Sequence, residues 1–175
     1  MPAIYLAHLA VALAAKTKTD RVPVWALVLA AYSNDILKLG FRAIGLENNG
    51  SSYIDIEQGI TITTPANMPW SHGLFMSVVW SALAAVIAYL IYRDRRTASI
   101  IGLVVISHWV LDFIVHSPEL PLLFNGSPMV GLGLWMTPQG FGISIFLEIC
   151  ILAGGISLFL IHSRRKSVSV GKLSG

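Results

Sequence analysis

The stretch Ser107-His-Trp-Val-Leu-Asp-Phe-Ile-Val-His-Ser-Pro-Glu-Leu-Pro121 decides how this chain is read. It closes a run that is otherwise apolar enough for a membrane helix, yet it carries His108, Asp112 and His116, each four residues after the last. At about 100° per residue, groups at that spacing drift only about 80° around a helix and form one polar stripe. Two imidazoles and a carboxylate are ligands that suit a divalent metal such as zinc. Ionisable groups within a membrane helix are costly and by default mark a site. The competing reading is a polar seam that holds helices together.

The rest of the chain supports a membrane setting. Of 175 residues, 55% are hydrophobic and only 12% charged, and the mean hydropathy is +0.71. A soluble domain carries about twice that share of charge. Apolar runs recur at 3–15, 22–46, 71–92, 97–117 and 141–162. They predict an all-α, polytopic membrane helical bundle of about five segments, with two long loops, in a single domain over 1–166. The first segment is too short to cross a full hydrocarbon core of about 30 Å. A polar tail over 167–175 is expected to be disordered. Some alternation from Tyr53 to Thr64 permits a short hairpin in the first loop. Ser71 is a candidate N-cap for the third segment, and Cys150, the single cysteine, is expected to serve packing.

Charge placement orients the bundle. Ten of the twelve Lys and Arg residues lie in the two short turns and the C-terminal tail, and the loops 47–70 and 119–140 contain none. The positive-inside rule then puts the turns and the C-terminus in the cytoplasm, and the N-terminus and both long loops outside. The formal charge of +3 is explained by this topology and is no sign of nucleic-acid binding. Helix rise places Asp35 about 20 Å along the outward-running second segment. Glu148 falls about 10 Å, and His8 about 8 Å, below the outer ends of their segments. With His72 opening the third segment and Asp112 in the outer half of the fourth, all five segments offer an ionisable group to one depth. Unrelated helix-to-helix contacts have no reason to collect there; a shared site does.

Asp35, His72, His108 and Asp112 suffice for one ion with a position left for water. His8, His116, Glu119 and Glu148 are available for a second ion or for orientation. A divalent ion lowers the pKa of a bound water to about 7, and two ions about 4 Å apart favour phosphoester cleavage. Glu119 and Glu148 are the candidate bases. Lys38 and Arg42, on the Asp35 face, are placed to receive an anionic group or to reach headgroups.

Three short motifs carry a resemblance. Pro69-Trp-Ser-His-Gly-Leu, Ser107-His-Trp-Val-Leu-Asp-Phe and Gly131-Leu-Gly-Leu-Trp resemble small bacterial integral membrane proteins related to the inner-membrane metal-dependent hydrolases. The order His8, Asp35, His72, His108, Asp112, His116 is also similar to the ligand order of zinc-dependent phospholipase C and the P1-type nucleases. That likeness implies that Asp35, His72, His108 and Asp112 hold a first ion, that His8 joins Asp112 at another, and that His116 belongs to the remaining one. The chain lacks a second His-xxx-Glu pair after His116 and an N-terminal tryptophan, so one or two ions are expected rather than three.

The function expected is therefore a hydrolase in the inner membrane, acting on a phosphoester or lipid-linked substrate from the outer leaflet. Its partners would be the lipid bilayer and that substrate. A transporter of protons or metal, with His108, Asp112 and His116 lining a half-channel, is the alternative, and a non-enzymatic membrane scaffold is another. A b-type haem protein is disfavoured because His72 and His108 fall at different depths.

Overall fold

The structure, a computed structural model, describes residues 6–48, 50–55, 60–64, 66–124 and 126–171. Its helices are α1 (Leu6–Lys16), α2 (Val24–Ala31), α3 (Ser33–Ala43), α4 (Leu74–Tyr92), α5 (Arg95–Val115) and α6 (Pro138–Gly171). The loops between α3 and α4 and between α5 and α6 carry one antiparallel hairpin each: β1 (Ser51–Asp55) with β2 (Ile60–Thr64), and β3 (Leu120–Pro121) with β4 (Met129–Val130). The first hairpin falls where the sequence alternation permits one.

Three helices, Leu74–Tyr92, Arg95–Val115 and Pro138–Ser167, are long and apolar enough to cross a membrane. The expected continuous helix over 22–46 is instead a pair, α2 and α3, bent by 56° at Tyr32. Counted as one broken span it would make a fourth. Two hydrogen bonds accompany the break, one local and one from a distant helix. The Ser33 hydroxyl donates back to the Ala30 carbonyl at 2.8 Å, and the Ala31 carbonyl meets the imidazole of His108. Helix α1 has 11 residues, a rise of about 16 Å, and does not cover a hydrocarbon core of about 30 Å. The five segments of the sequence reading thus reduce to three long helices, one bent pair and one short helix. Residues 3–5 of the first segment lie outside the described residues.

The tail also differs from expectation. Helix α6 continues to Gly171, where disorder was expected from residue 167. No proline interrupts it after Pro138. Residues 172–175 lie outside the described residues.

Close packing comes from small residues. A Cβ on Gly155 of α6 would fall 2.7 Å from the Ala10 carbonyl of α1, so these two backbones touch. Gly102 of α5 plays the same part against α4, where its carbonyl accepts the Ser81 hydroxyl at 2.8 Å. Ala12, Val22, Leu27, Ala31 and Val104 form the buried apolar cluster of α1, the α1–α2 turn, α2 and α5. Asn34 ties α3 to α4 through Ser77 Oγ at 3.1 Å. Cys150, expected in the packing, is exposed on α6.

One end of the bundle gathers the cations. Asp94 caps α5 by accepting the Thr97 N–H at 2.9 Å, and Thr97 in turn meets Thr19 of the α1–α2 turn at 3.2 Å. Lys166 and His162 of α6 reach Asp20 in that same turn at 3.2 and 3.1 Å. At the far end of α5, the second loop folds back on the helix: Leu132 N–H donates to the Phe113 carbonyl and Gly133 N–H to the His116 carbonyl, both at 2.7 Å.

Candidate metal centre

Five of the expected residues come together. His8 comes from α1, Asp35 from the first turn of α3, His72 from the turn before α4, and His108 and Asp112 from successive turns of α5. The 56° bend swings Asp35 inward to face two imidazoles. His72 Nε2 lies 3.6 Å from Asp35 Oδ1 and 3.4 Å from Asp112 Oδ2. His108 Nε2 lies 3.7 Å from Asp35 Oδ2 and 3.3 Å from Asp112 Oδ2. The other oxygen of Asp112 faces His8 Nε2 at 3.4 Å. The His8 ring stacks on that of His108, with centroids 4.1 Å apart. Two triads have ligand atoms close enough to share an ion: His8, His108 and Asp112, and Asp35, His72 and His108.

The surrounding hydrogen bonds fix which ring nitrogen faces the cluster as an acceptor. His108 Nδ1 is 2.8 Å from the Ala31 carbonyl, which can only accept, so Nδ1 carries the proton. His108 Nε2 is then a lone pair in the neutral ring; it is fully buried with no hydrogen-bond partner among the described residues. His72 is set by a longer chain. Glu47 accepts the N–H groups of Trp70 and Ser71, each at 2.8 Å, and the Ser71 hydroxyl at 2.6 Å. With its one proton given to Glu47, Ser71 Oγ accepts from His72 Nδ1 at 2.8 Å. His72 Nε2 is therefore also a lone pair aimed at the carboxylates.

Two imidazole lone pairs facing two carboxylates repel unless a positive species lies among them. A proton would draw each pair to a charge-assisted hydrogen bond of about 2.7–2.9 Å. A tetrahedral zinc with bonds of about 2.0–2.1 Å sets its ligand atoms about 3.4 Å apart. The observed separations, 3.3 to 3.7 Å, match the second arrangement. Each triad, of imidazole and carboxylate donors, could hold a metal ion. Ring nitrogens held by a carbonyl and by a hydroxyl–carboxylate chain are the orienting contacts that such ligands need. His8, His72, His108 and Asp112 are buried at 4%, 2%, 0% and 3% exposure, while the Asp35 side chain is 21% exposed, so the site opens at Asp35.

Other expected residues stand apart. His116 caps α5 with extended backbone and bonds Glu119 Oε1 at 2.6 Å, and its ring packs on Trp135. It joins neither triad. Helix α5 ends at Val115, so the four-residue stripe stops at Asp112 and the next ring turns away. That hydrogen bond, with Lys38 near it, holds the Glu119 carboxyl below its ordinary range. Glu148 is buried on α6 and shares a recess with His8 and Asp112. Lys38 lies one turn beyond Asp35 on α3, and Arg42 one turn further, exposed.

Glu47 was not foreseen. Ser71, expected as an N-cap, serves the imidazole instead, and the cap position belongs to Gly73. The only sequence signal for Glu47 was a carboxylate in a loop without cations to pair it.

No family model matches the chain, and no curated protein or solved structure is significantly similar to it. The likeness to membrane metal-dependent hydrolases and to zinc phospholipases rests on the short motifs and the ligand order alone.

Proposed function

We propose that the protein is a membrane-embedded hydrolase that uses a divalent metal, zinc by ligand type, to cleave a phosphoester or lipid-linked substrate. One observation carries this reading. Two buried imidazoles, each with its outer nitrogen tied to the protein, converge with Asp35 and Asp112 at separations that suit a shared ion rather than a shared proton. Asp35, His72, His108 and Asp112 hold the ion, and His8 supports the free oxygen of Asp112 or serves a second ion. A divalent ion so held supplies a polarised water at neutral pH and neutralises charge developing on an ester oxygen.

The chain's own residues do the rest. Glu148 faces the same recess as Asp112 and is the better placed base, because Glu119 is engaged by His116. Water's oxygen bonds to the electrophilic centre, its proton passes to Glu148, and the ester bond breaks with the proton returned to the leaving oxygen. Lys38, at the exposed Asp35 rim, draws an anionic group toward the opening. The positive-inside rule puts the cation-rich end in the cytoplasm of an inner membrane, so the site faces the outer leaflet.

The test is hydrolysis of bis(p-nitrophenyl) phosphate and of phospholipid vesicles by detergent-purified protein. Activity that a chelator abolishes and zinc restores, and that Asp112→Asn lowers by at least 100-fold, is expected. A metal-loaded protein that cleaves neither ester would overturn the hydrolase reading.

A further inference from the structure

At the cation-rich end of the bundle a groove of about 630 Å³ runs between the α1–α2 turn and α6. This is within the range of small-molecule sites, about 300–1,000 Å³. It stands apart from the metal centre: along α6, a rise of about 21 Å separates its His162 from Glu148. Its lining is apolar at Val24 and Phe159 and polar at Lys16, Asp20, His162 and Lys166. Trp25, next to Val24, is 66% exposed in the first turn of α2. Tryptophan collects at the depth of lipid headgroups, so the groove crosses from that depth into hydrocarbon.

The charges in the groove do not cancel. His162 Nε2 and Lys166 Nζ both meet one oxygen of Asp20, Oδ1, at 3.1 and 3.2 Å. Lys16 Nζ donates to the carbonyls of Asp20 and Val22 at 3.1 and 2.8 Å, which hold the ammonium in place without neutralising it. Two ammonium groups thus share a lining with a single carboxylate, and an anion is the species that balances them. The carboxylate in turn can only accept, so it suits hydroxyl donors. Basic pockets between membrane helices on the cytoplasmic side hold anionic lipid heads, and the positive-inside rule puts this end there. A phosphate esterified to glycerol answers both demands: the phosphate meets the lysines, and the glycerol hydroxyls meet Asp20.

We infer that this groove binds the head of one phosphatidylglycerol-type lipid of the cytoplasmic leaflet. The phosphate lies with Lys16 and Lys166, the glycerol hydroxyls donate to Asp20, and the chains leave past Val24 and Phe159 into the hydrocarbon. The lipid ties the α1–α2 turn to α6, across the contact that His162 and Lys166 make with Asp20. None of this depends on the hydrolase reading.

The probe is dioleoyl phosphatidylglycerol, titrated into the detergent-purified full-length protein and counted by native mass spectrometry. One lipid should bind saturably, about tenfold more tightly than phosphatidylethanolamine with the same chains. Lys16→Gln/Lys166→Gln should weaken it by about 30-fold, the loss of two cations near an anionic head. Arg95→Gln/Arg96→Gln removes the same charge at the same end, outside the groove, and should change it by less than about threefold. Lys16 also holds the α1–α2 turn, so a second variant keeps every charge: Ser163→Trp fills the groove from α6 and should weaken binding about tenfold. Phosphatidylmethanol, with the same charge and no hydroxyl, should bind less tightly than phosphatidylglycerol in the wild type and equally in Asp20→Asn. Binding that does not saturate, that falls alike in the two double variants, or that survives Ser163→Trp marks a general attraction of anionic lipid to this end and overturns the inference. Equal binding of phosphatidylmethanol and phosphatidylglycerol to the wild type overturns the part given to Asp20.

Discussion

His108 Nδ1 lies 2.8 Å from the carbonyl oxygen of Ala31, the last residue of α2. This one contact joins fold to site. It uses a carbonyl exposed where α2 gives way to α3, and it turns the His108 Nε2 lone pair toward Asp112, while the bend at Tyr32 brings Asp35 to the same point.

The cluster residues should differ in weight. Asp112 faces three imidazoles, whereas Asp35 faces two and is the exposed member. Asp112→Asn should abolish zinc binding, and Asp35→Asn should weaken it less, because Asp35 faces fewer imidazoles and is the exposed ligand. Zinc titration by calorimetry measures both. Equal effects would contradict the unequal sharing seen in the structure.

The chain Glu47–Ser71–His72 makes a sharper prediction. In Glu47→Gln the new amide can donate to Ser71 Oγ, freeing the serine proton for His72 Nδ1. The imidazole proton then moves to Nε2, inside the cluster, where a ligand must have a lone pair. Zinc affinity should fall about 10–100-fold although no ligand is touched. Ser71→Ala removes the link and should give a similar loss. An unchanged affinity in both variants, with circular dichroism intact, would show that the hydrogen-bond chain does not set the tautomer.

Zinc should also stabilise the bundle, because an ion that binds only the folded site adds its binding free energy to folding. At a free concentration of 100 times Kd the gain is about 2.7 kcal/mol. A chelator should lower the melting temperature of wild-type protein and leave that of His108→Ala/Asp112→Ala unchanged. The same shift in both would place the chelator's effect elsewhere.

Glu119 carries a pH dependence. Its carboxyl is held below the ordinary range chiefly by the hydrogen bond from His116. A lowered folded-state pKa gives stability that is present above the ordinary carboxylate pKa and is lost as pH falls through the depressed value. The pair is partly exposed, so its share is at most about 1 kcal/mol. Amide exchange at Leu132 and Gly133, whose N–H groups hold the loop to α5, should quicken on acidification in that window. Glu119→Gln should show the faster exchange already at neutral pH. Exchange insensitive to both changes would contradict the role given to this pair.

Much of the site was legible because burial in an apolar setting makes each ionisable residue conspicuous. His8, Asp35, His72, Asp112 and Glu148 were expected at one depth and His108 at another; the structure instead brings His108 in among the first four, with its ring 5.3 Å from that of His72. His116 misled because a four-residue stripe holds only while the helix lasts, and α5 ends at Val115. Tyr32 concealed the break in the second segment: no proline or glycine stands there, and the bend is accompanied by hydrogen bonds to Ala30 and Ala31, one of them from a residue 77 positions away. Glu47 was silent for the same reason. Its acceptors serve residues 23 and 24 positions on, which no periodicity reports. The apolar composition revealed helices apolar enough to cross a membrane but not their lengths, so α1 and the bent pair were counted with the longer helices.

The most direct measurement is the metal content of detergent-purified protein by elemental analysis, prepared without chelator and with zinc resupplied, beside His108→Ala/Asp112→Ala. Near-stoichiometric zinc or another divalent transition metal in the wild type, lost in the double variant, is the predicted result. No metal in either protein, with both folded, would contradict the metal centre and turn the four-residue stripe back into a proton-handling or purely structural feature.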